Sequence, residues 1–503
     1  TQLPKAPSRA DEISDERSAK SKQVERLAND HRIRSAIKVM MQTDTLLDNN
    51  TIKEELLKKI VPRDELETTE LERQRPMVEQ VRLTPPSNIS WKSIAKVLYG
   101  MNRQSATCID GWHPKLLIQA MRHDTTLRED VSSLLNIIIR GELSDASVSI
   151  LCLGRIVGIP QEAKVRPITV SNFWLKLLGG AIMEDIGAKC SKAQFAVGVR
   201  DGTQIIAHTA RHALANKFAI LKLDLQNAFH EARRSLIRDV LRNQDERLQR
   251  YFELVYGDTT HNLIFYDRSG HSEIPFPTGI RQGDPTSSFL FCLLVDKICE
   301  EITLEGRKYA LTGMNVMAYM DDITITVSKE GADAMACIAQ QAVERNKMTL
   351  NVGKSSCVAQ GPWTGRLANG ITKKTTDEGA VVLMGALIAG QKDSYVKDRT
   401  VRVNNFFACL GQLEIHPQLA YTLIRLSAFS MLKYIVQVNP PEVATPVVVV
   451  LENHVINAMR LLIGTKDAIT KEMLHDQAKI GCPDYLKNAQ ELYRKSTEVA
   501  FKT

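Results

Sequence analysis

The chain has 503 residues, too many for one compact core, so two to four domains or subdomains are expected. Hydrophobic residues make up 44% and charged residues 24% of the sequence, which excludes the disordered, collagenous and fibrous classes. The net charge of +7 is spread unevenly: residues 91–200 carry +5 and residues 391–503 carry +3, while residues 201–390 carry −1. Basic flanks around a slightly acidic middle suit a polyanion held around a metal-binding centre.

The nine cysteines are scattered and form no CxxC pair, so neither a structural zinc site nor a disulfide framework is predicted. A reducing intracellular compartment is the simplest interpretation. No uninterrupted apolar stretch approaches the roughly 18 residues of a membrane span, so no membrane association is expected. The charged beginning at Thr1 does not resemble a signal peptide, and a chain that starts at Thr is interpreted as a fragment.

The first 90 residues are predicted to be mostly helical and polar. Apolar residues at near-helical spacing predict helices over residues 20–41 and 51–60. Pro-Pro within RLTPPSNIS predicts a linker at residues 82–90, because proline blocks a helix. Two further helices are predicted at residues 91–99 and 114–121, around the loop SATCIDG.

From about residue 150 short β-rich runs alternate with helices. A hairpin is predicted from LGRIVGIP and VRPITV, and residues 381–389 predict a strand pair or a bend. Strands are predicted at 218–225, 314–320 and 323–327, helices at 231–242, 286–302 and 331–345, and helices again beyond 394. This order is typical of an α+β, palm-like sheet with helices packed on one face.

Two adjacent acids, Asp321 and Asp322, lie between the strand-forming runs AYM and ITITV. An isolated Asp-Asp pair is usually no more than a turn, because aspartate favours turns. Here the flanking strands would hold the carboxylates rigidly at a strand tip, where they could share a hard cation such as Mg²⁺. Asp224, at the end of the strand FAILKLDL, is the candidate third carboxylate; its alternative interpretation is a helix cap or turn acid. Three such acids could hold two Mg²⁺ for in-line nucleotidyl transfer.

Several stretches together resemble one enzyme family. They are ILKLDLQNAFH, AYMDD, TGIRQGDPTSSFLF, KVRPITV, FAVGVRDGTQIIAH, LNVGKSS, LMGALIAG and SATCIDGWHPKLL. The sequence resembles a reverse transcriptase of non-long-terminal-repeat retrotransposons, most closely the site-specific group that carries a restriction-like endonuclease. The resemblance covers residues 90–390 motif by motif and extends loosely to about residue 490.

The resemblance implies a role for individual residues. Asp224, the carbonyl of Leu225, Asp321 and Asp322 would ligate two Mg²⁺ ions, for which Mn²⁺ could substitute. Lys354 would be the general acid beside the leaving pyrophosphate, and Phe229 would be the steric gate that excludes a ribose 2′-hydroxyl. The implied nucleotide-binding residues are Lys164, Arg166, Asn227, Ala228, Phe229, Gln282 and Gly283. The implied primer grip is Met384, Gly385 and Ala386, whereas Gln194, Phe195, Gly198, Asp110 and Gly111 match family motifs without an assigned chemistry.

The implied fold is a right-hand polymerase with fingers, a palm built on an antiparallel sheet and a helical thumb. The predicted units are a helical N-terminal extension at 1–88, fingers and palm at 89–392, a thumb at 393–470 and the start of a truncated C-terminal region at 471–503. The implied partners are an RNA template, a DNA primer or RNA–DNA hybrid, and dNTPs, with the nucleus as the expected location.

Two alternatives stay open at this stage. Within the enzymes, the chain could be a group II intron or other bacterial-type reverse transcriptase, although no maturase or endonuclease tail is recognisable. In a different class, it could be a catalytically inactive nucleic-acid-binding scaffold with a polymerase fold, but that interpretation predicts a broken acidic triad. The sequence after Gly385 offers no recognisable acid spacing or Cys/His ligands for a second metal centre, so RNA copying without site-specific DNA cleavage is expected.

Overall fold

The computed structural model describes residues 9–41, 49–60, 86–102, 107–161, 164–190, 193–257, 262–267, 270–464, 469–476 and 482–502. The helices before the palm motifs are α1 (Arg9–Asn29), α2 (Ile33–Met41), α3 (Asn49–Ile60), α4 (Trp91–Gly100), α5 (Pro114–His123), α6 (Leu127–Arg140), α7 (Asp145–Cys152), α8 (Phe173–Asp185) and α9 (Gly202–Ala215). The following helices are α10 (Ala228–Glu231), α11 (Arg234–Leu241), α12 (Glu246–Tyr256), α13 (Ser287–Lys308) and α14 (Ala332–Arg345). The C-terminal helices are α15 (Lys392–Gly411), α16 (Pro417–Leu423), α17 (Phe429–Val438), α18 (Pro441–Ile463), α19 (Lys471–His475) and α20 (Tyr485–Lys502), with a π-helical turn at Ile424–Ala428.

The strands form three sheets. They are β1 (Gly154–Gln161), β2 (Lys164–Val170), β3 (Ala219–Asp224), β4 (Asn262–Asp267), β5 (Gly270–Pro275), β6 (Asn315–Tyr319), β7 (Asp322–Val327), β8 (Ser356–Ala359), β9 (Thr372–Thr375), β10 (Ala380–Leu383) and β11 (Ala386–Gly390). The strand orders are β2-β1-β4-β5, β6-β7-β3-β8-β9 and β10-β11. Neighbouring strands are antiparallel except for the parallel pairs β1–β4 and β8–β9. The fold is therefore mixed α and β with antiparallel-rich sheets, consistent with the α+β prediction.

The five-stranded sheet is covered on both faces. Leu221 and Leu223 of β3 belong to the large cluster that includes the apolar sides of α13 and α14, whereas Ile220 packs with Ile206 and Ala210 of α9. Alternate residues of a strand point to opposite faces, so a strand that is apolar on both faces needs two covering layers. The expectation of helices on one face only was wrong, because Ile220, on the opposite face from Leu221 and Leu223, is buried against α9.

The four-stranded sheet carries the fingers hairpin. The predicted pair of strands forms β1 and β2, which pair from Arg155–Val170 to Gln161–Lys164. Helix α3 packs on this hairpin so closely that a Cβ at Gly158 would lie 2.4 Å from a methyl of Ile52. Gly158 therefore allows the N-terminal helix α3 to pack closely on β1.

The two ends of the chain share one hydrophobic cluster with α15 to α18, the helices predicted to be the thumb and called the thumb below. Val24 and Leu27 of α1 and Met40 of α2 are buried with residues of α15, the π-helical turn, α17 and α18. The amide of Glu414 donates to the Ser21 hydroxyl at 3.0 Å. Structurally, α1 and α2 therefore pack with the thumb, while α3 packs with the fingers.

Several predicted elements differ in their extent. The helix expected over 20–41 is two helices, since His31 has φ 58° and the chain turns between α1 and α2. The helix expected over 231–242 is divided between α10 and α11. No element was predicted for 127–152, 173–185, 202–215, 246–256 or 262–275, where the structure has α6 to α9, α12, β4 and β5. Residues 82–85 of the predicted linker lie outside the described residues.

Two helical segments of the thumb are long and apolar enough to cross a membrane by length and composition alone. They are 417–438 and 441–463, with mean hydropathies of 1.3 and 1.4. The core helix of a soluble protein passes the same test, and Val447, Leu451 and Val455 of α18 are buried in the thumb cluster. Packing within the thumb accounts for only part of their apolar character, because 44% and 39% of the two windows are buried.

Candidate active site

The three predicted acids meet at one end of the five-stranded sheet. Strands β3 and β7 run antiparallel with Asp224 opposite Asp322, and β6 and β7 pair from Asn315–Thr326 to Tyr319–Asp322. Asp321 therefore lies in a two-residue turn directly beside Asp322. The hairpin register thus brings Asp224, Asp321 and Asp322 together, although 96 residues separate Asp224 from Asp321 in the sequence.

The carboxylates of the hairpin are half-buried and repel one another. Burial raises the pKa of Asp321 above its usual 3.8, and the nearby charge of Asp224 raises it further. Burial likewise raises the pKa of Asp322, with Asp321 and Asp224 acting in the same direction and Lys222 opposing them. Carboxylates that repel one another are stabilised by a compensating cation, and oxygen ligands suit Mg²⁺. The chemistry of the three acids therefore fits the predicted metal, although their ligand atoms do not all lie within 4.8 Å of one another in this structure.

Leu225 continues β3 past Asp224 and makes an antiparallel bridge with Leu350. The amide of Asn351 donates to the Asp224 carbonyl at 2.8 Å, and that of Gln226 donates to the Thr349 carbonyl at 2.9 Å. In this pattern the bridged residue directs its own amide and carbonyl to the opposite strand edge, where β7 lies. That direction fits the prediction that the Leu225 carbonyl joins the acidic site.

Lys354 lies beside the triad. Its ammonium is 3.7 Å from the Asp224 carboxylate, and its side chain is half-exposed. The turn that carries it is fixed by Ser355, whose hydroxyl accepts from the Asp224 amide at 3.1 Å and donates to the Asn351 carbonyl at 2.8 Å. The predicted general acid is therefore placed next to a predicted metal ligand.

Arg166 is an exposed side chain of β2, and its charge lowers the pKa of Asp321 against the effect of burial. The positive charge of Arg166 therefore acts on the acidic site, and a role in binding phosphate stays a prediction. Lys164 is the first residue of β2, but its side chain lies outside the described part of the chain.

Gln282 and Gly283 join the fingers to the palm. The Gln282 carbonyl accepts from the Thr169 amide of β2 at 2.7 Å. Gly283 has φ 118°, and a Cβ there would lie 2.4 Å from the Thr169 carbonyl oxygen. Gly283 is therefore needed for a close backbone contact with β2 of the protein itself. Binding of the nucleotide by these two residues stays a prediction.

Asn227, Ala228 and Phe229 form the turn and helix start that follow Asp224. Asn227 adopts a left-handed conformation (φ 42°, ψ 36°), which Asn tolerates better than most residues, and Ala228 is buried. The Phe229 ring is partly exposed and stacks on Phe291 of α13, with ring centroids 4.8 Å apart. The ring thus rests on a second aromatic side chain, and its role as a steric gate stays a prediction.

The predicted primer grip is the turn between β10 and β11. Leu383 pairs with Ala386, and both intervening residues have positive φ, 49° at Met384 and 80° at Gly385. The Tyr434 hydroxyl of α17 donates to the Met384 carbonyl at 2.6 Å, and the Tyr395 hydroxyl of α15 donates to the Gly385 carbonyl at 2.9 Å. Ala386 is buried. Two thumb helices therefore hold this turn.

Two motif matches acquire structural roles. The Asp110 carboxylate accepts from the Phe173 amide at 2.7 Å, at the beginning of α8. Gln194 is wholly buried and bonds to the backbone of Met320, in the acidic hairpin turn. Both residues match family motifs in the sequence, but no role was assigned to them there. Their structural roles become visible only from their hydrogen-bond partners.

A second cluster of possible metal ligands lies in the C-terminal part of the chain. Ligand atoms of Glu452, His475 and Asp484 lie within 4.8 Å of one another. The sequence after Gly385 shows no recognisable ligand spacing because these residues are far apart along the chain and meet only through the packing of α18, α19 and the segment leading into α20. The Lys471 ammonium, 3.1 Å from the buried Glu452 carboxylate, already supplies a positive charge there. We assign no metal to this cluster.

Residues 159–382 match the model of one protein family, described as reverse transcriptase (RNA-dependent DNA polymerase). The match begins in β1, ends in β10 and contains Asp224, Asp321 and Asp322. No curated protein matches the chain significantly. This segment, less than half of the chain, is therefore similar to a reverse transcriptase domain, and the five-stranded sheet with its acidic hairpin lies within it.

Proposed function

We propose that this protein is the RNA-directed DNA polymerase of a non-long-terminal-repeat retroelement. It extends a DNA 3′-hydroxyl on an RNA template, and the resemblance of its motifs supports target-primed synthesis in the nucleus. The observation that carries the polymerase proposal is the pairing of Asp224 with Asp322 beside Asp321, inside a matched reverse transcriptase domain. The non-long-terminal-repeat subgroup is supported by the motif set, including Asp110 and Gly111.

Asp224, Asp321 and Asp322 would hold the metal ions, with the Leu225 carbonyl as a further ligand. When bound, two Mg²⁺ ions would lower the pKa of the primer hydroxyl and neutralise charge on the triphosphate. The protein residues orient the reactants and stabilise developing charge, which is most of what phosphoryl transfer needs.

Three further side chains act on the nucleotide. Arg166 neutralises phosphate oxygens from the fingers side. Lys354, held beside Asp224, donates a proton toward the leaving pyrophosphate. The Phe229 ring occupies the volume that a 2′-hydroxyl would need, so deoxynucleotides are selected.

The hybrid is held through its phosphate backbone by the basic segments 91–200 and 391–503, which carry +5 and +3. Such contacts are independent of sequence and weaken steeply with salt. The partners are therefore an RNA template, a DNA primer and dNTPs.

The test is primer extension with oligo(dT) on poly(rA), with Mg²⁺, with Mn²⁺ and with EDTA. The proposal expects extension that requires a divalent ion and that is much stronger on poly(rA) than on poly(dA). A purified, folded chain that binds the hybrid without extending it under any of these conditions would instead support the inactive scaffold. Group II intron and related enzymes would pass the same assay, so target-primed synthesis needs a second test, in which a nicked DNA end primes on RNA that is not base-paired to it.

A further inference from the structure

Met320 occupies the first position of the acidic turn with φ 55°. This left-handed region is readily adopted by glycine and disfavoured for residues with a larger side chain. Because Asp321 follows it directly, any relaxation of Met320 would move the Asp321 carboxylate. The turn must therefore be held in place by its surroundings.

The buried side chain of Gln194 forms hydrogen bonds with both the backbone amide and the backbone carbonyl of Met320. The Gln194 side-chain oxygen accepts from the Met320 amide at 2.9 Å, and the Gln194 side-chain amide donates to the Met320 carbonyl at 3.2 Å. Gln194 has an exposed fraction of 0%. Its amide group thus replaces the hydrogen bonds that a neighbouring strand would give to an ordinary strand residue.

Gln194 is itself fixed from both sides along the chain. The Phe195 amide donates to the Ala318 carbonyl, and the Ala318 amide donates to the Ala193 carbonyl, both at 2.8 Å. These bonds make a one-residue parallel bridge between Gln194 and β6. The Gln194 side-chain oxygen also accepts from the Ala196 amide at 3.2 Å, which orients the side-chain amide group toward the turn.

The side chain of Met320 is held as well. Its sulfur lies 3.6 Å from the Cys292 thiol of α13, the helix that also carries Phe291 beneath Phe229. Backbone and side chain of Met320 therefore have separate anchors in the palm. We infer that Gln194 is a positioning residue that maintains the strained Met320 turn and thereby places Asp321 for catalysis. This inference rests on the proposed polymerase function.

The decisive experiment combines Gln194→Ala with Met320→Gly, because glycine adopts φ 55° without support. Gln194→Ala should lower kcat for single-nucleotide extension by about 10- to 100-fold, since a displacement of about 1 Å costs on the order of 100-fold. The KM for dNTP should change less than about threefold. In the Met320→Gly background the same Gln194 substitution should cost less than about threefold. Equal losses in both backgrounds would overturn the inference.

A second measurement does not depend on activity. Methyl NMR of methionine-labelled protein, with the Met320 signal assigned through Met320→Leu, should show a shifted or broadened Met320 resonance in Gln194→Ala. The signal of Met459, buried in the thumb, should not move. Gln204→Ala is the matched control, because Gln204 is another buried glutamine of the palm but bonds to Asp201, Gln437 and Ser496 instead. It should leave the Met320 signal in place.

The two measurements separate the possible failures. If the wild type does not extend primers, the polymerase proposal fails, while the NMR spectra still decide whether Gln194 holds the turn. An unchanged Met320 resonance in Gln194→Ala would overturn the positioning role even in an active enzyme. A loss of thermal stability that is equal in Gln194→Ala and Gln204→Ala, with no difference in kcat between them, would reduce Gln194 to a packing residue.

Discussion

The palm hairpin β6–β7 and the hairpin β10–β11 have turns of the same length that begin alike but are held in different ways. Each turn has two residues, and each begins with a methionine in the left-handed region, Met320 at φ 55° and Met384 at φ 49°. Gln194, a neighbour of β6, holds the first. The second is held by the hydroxyls of Tyr395 and Tyr434 from two thumb helices. The acidic turn is thus anchored within the palm, whereas the other turn is coupled to the thumb.

This difference suggests a division of labour. A metal site needs carboxylates that do not move, so its strained turn is tied to its own sheet. The β10–β11 turn is the proposed primer grip, and a turn in that role would have to follow the element that holds the duplex; its attachment to the thumb suits this proposal. Arg211 strengthens this second connection, because its guanidinium donates to the carbonyls of Leu387 and Val438. Mutations at the two turns should therefore affect different steps.

The largest effect is expected at the acidic turn itself. Asp321→Asn or Asp224→Asn should reduce extension by at least about 1,000-fold, because either change removes a charged metal ligand. Hybrid binding, measured by fluorescence anisotropy, should change little. Glu330→Gln, an equal change of charge at an exposed position, is the control and should extend normally. Normal extension by either aspartate variant would contradict the assignment of the triad.

The variant Asp321→Asn is also expected to stabilise the fold at neutral pH. Because burial raises the folded-state pKa of Asp321, the charged form destabilises the fold, and that cost is present at neutral pH. Asp321→Asn should therefore raise the melting temperature at pH 7. The increase should shrink as the pH falls through the raised pKa of Asp321 toward 3.8, where the wild-type acid is neutral too. Thermal melts across that range check the prediction.

Sugar selection is expected to depend on the palm alone. Phe229→Ala removes the ring that stacks on Phe291 and should raise rNTP incorporation relative to dNTP by about 10- to 100-fold, or about 1.4 kcal/mol for each factor of ten. Single-nucleotide kinetics with dTTP and UTP measure the ratio. Tyr434→Phe should leave the ratio unchanged, since Tyr434 belongs to the thumb-held turn. An unaltered ratio in Phe229→Ala would mean that the ring is only a packing residue.

A smaller effect is expected at the thumb-held turn. Tyr395→Phe with Tyr434→Phe removes both hydroxyls and leaves two turn carbonyls without these donors. The dissociation constant of the primer–template hybrid should rise about 3- to 10-fold and processivity should fall, while kcat for the first nucleotide stays within about twofold. Tyr309→Phe removes the hydroxyl of a largely exposed tyrosine and should have no effect. A kcat defect as large as that of Gln194→Ala would contradict the division of labour.

The smallest effect concerns the junction between palm and C-terminal helix. His208 of α9 is buried and bonds to Ser496 of α20 at 3.0 Å. Burial, and then the charge of Arg211, lowers its pKa from 6.5 to about 4. Between pH 6.5 and about 4 this histidine is protonated in the unfolded chain but not in the folded chain. The stability of the fold should therefore fall as the pH drops through that range. His208→Gln should flatten that part of the melting-temperature profile, opposite in sign to the effect at Asp321.

Local sequence patterns predicted the parts of the fold that depend on neighbouring residues. The hairpin β1–β2, the strands around Asp321 and the helix α14 follow from apolar runs and turns, and the structure confirms them. Helices α8 and α9 were not predicted, although both are largely buried: α8 carries apolar residues on most of its surface, and the buried positions of α9 include the polar Gln204 and His208. Such helices lack the one-sided pattern that identifies a helix in a sequence.

The sequence predicted those parts of the site that lie within recognisable motifs. Asp224 and Asp322 were proposed as neighbours from their positions at strand ends, and the register places them opposite each other. Gln194 could not be assigned a role in this way, because a glutamine that bonds to a backbone 126 residues away leaves no local pattern. The roles of Tyr395 and Tyr434 were equally unpredictable from the sequence, since their hydrogen-bond partners lie on a separate hairpin.

The packing of α1 and α2 into the thumb has a consequence for synthesis of the chain. The partner of Ser21 is residue Glu414, 393 positions later, and Val24 is buried among helices that include α18. At about 5–20 residues per second, the ribosome delivers those helices on the order of 20 to 80 seconds after α1. During that interval the apolar side of α1 and α2 has no native partner, while the palm between them can already fold. The thumb would therefore form after the palm, and a nascent chain that is released early would carry a folded palm beside an exposed, aggregation-prone N-terminal segment.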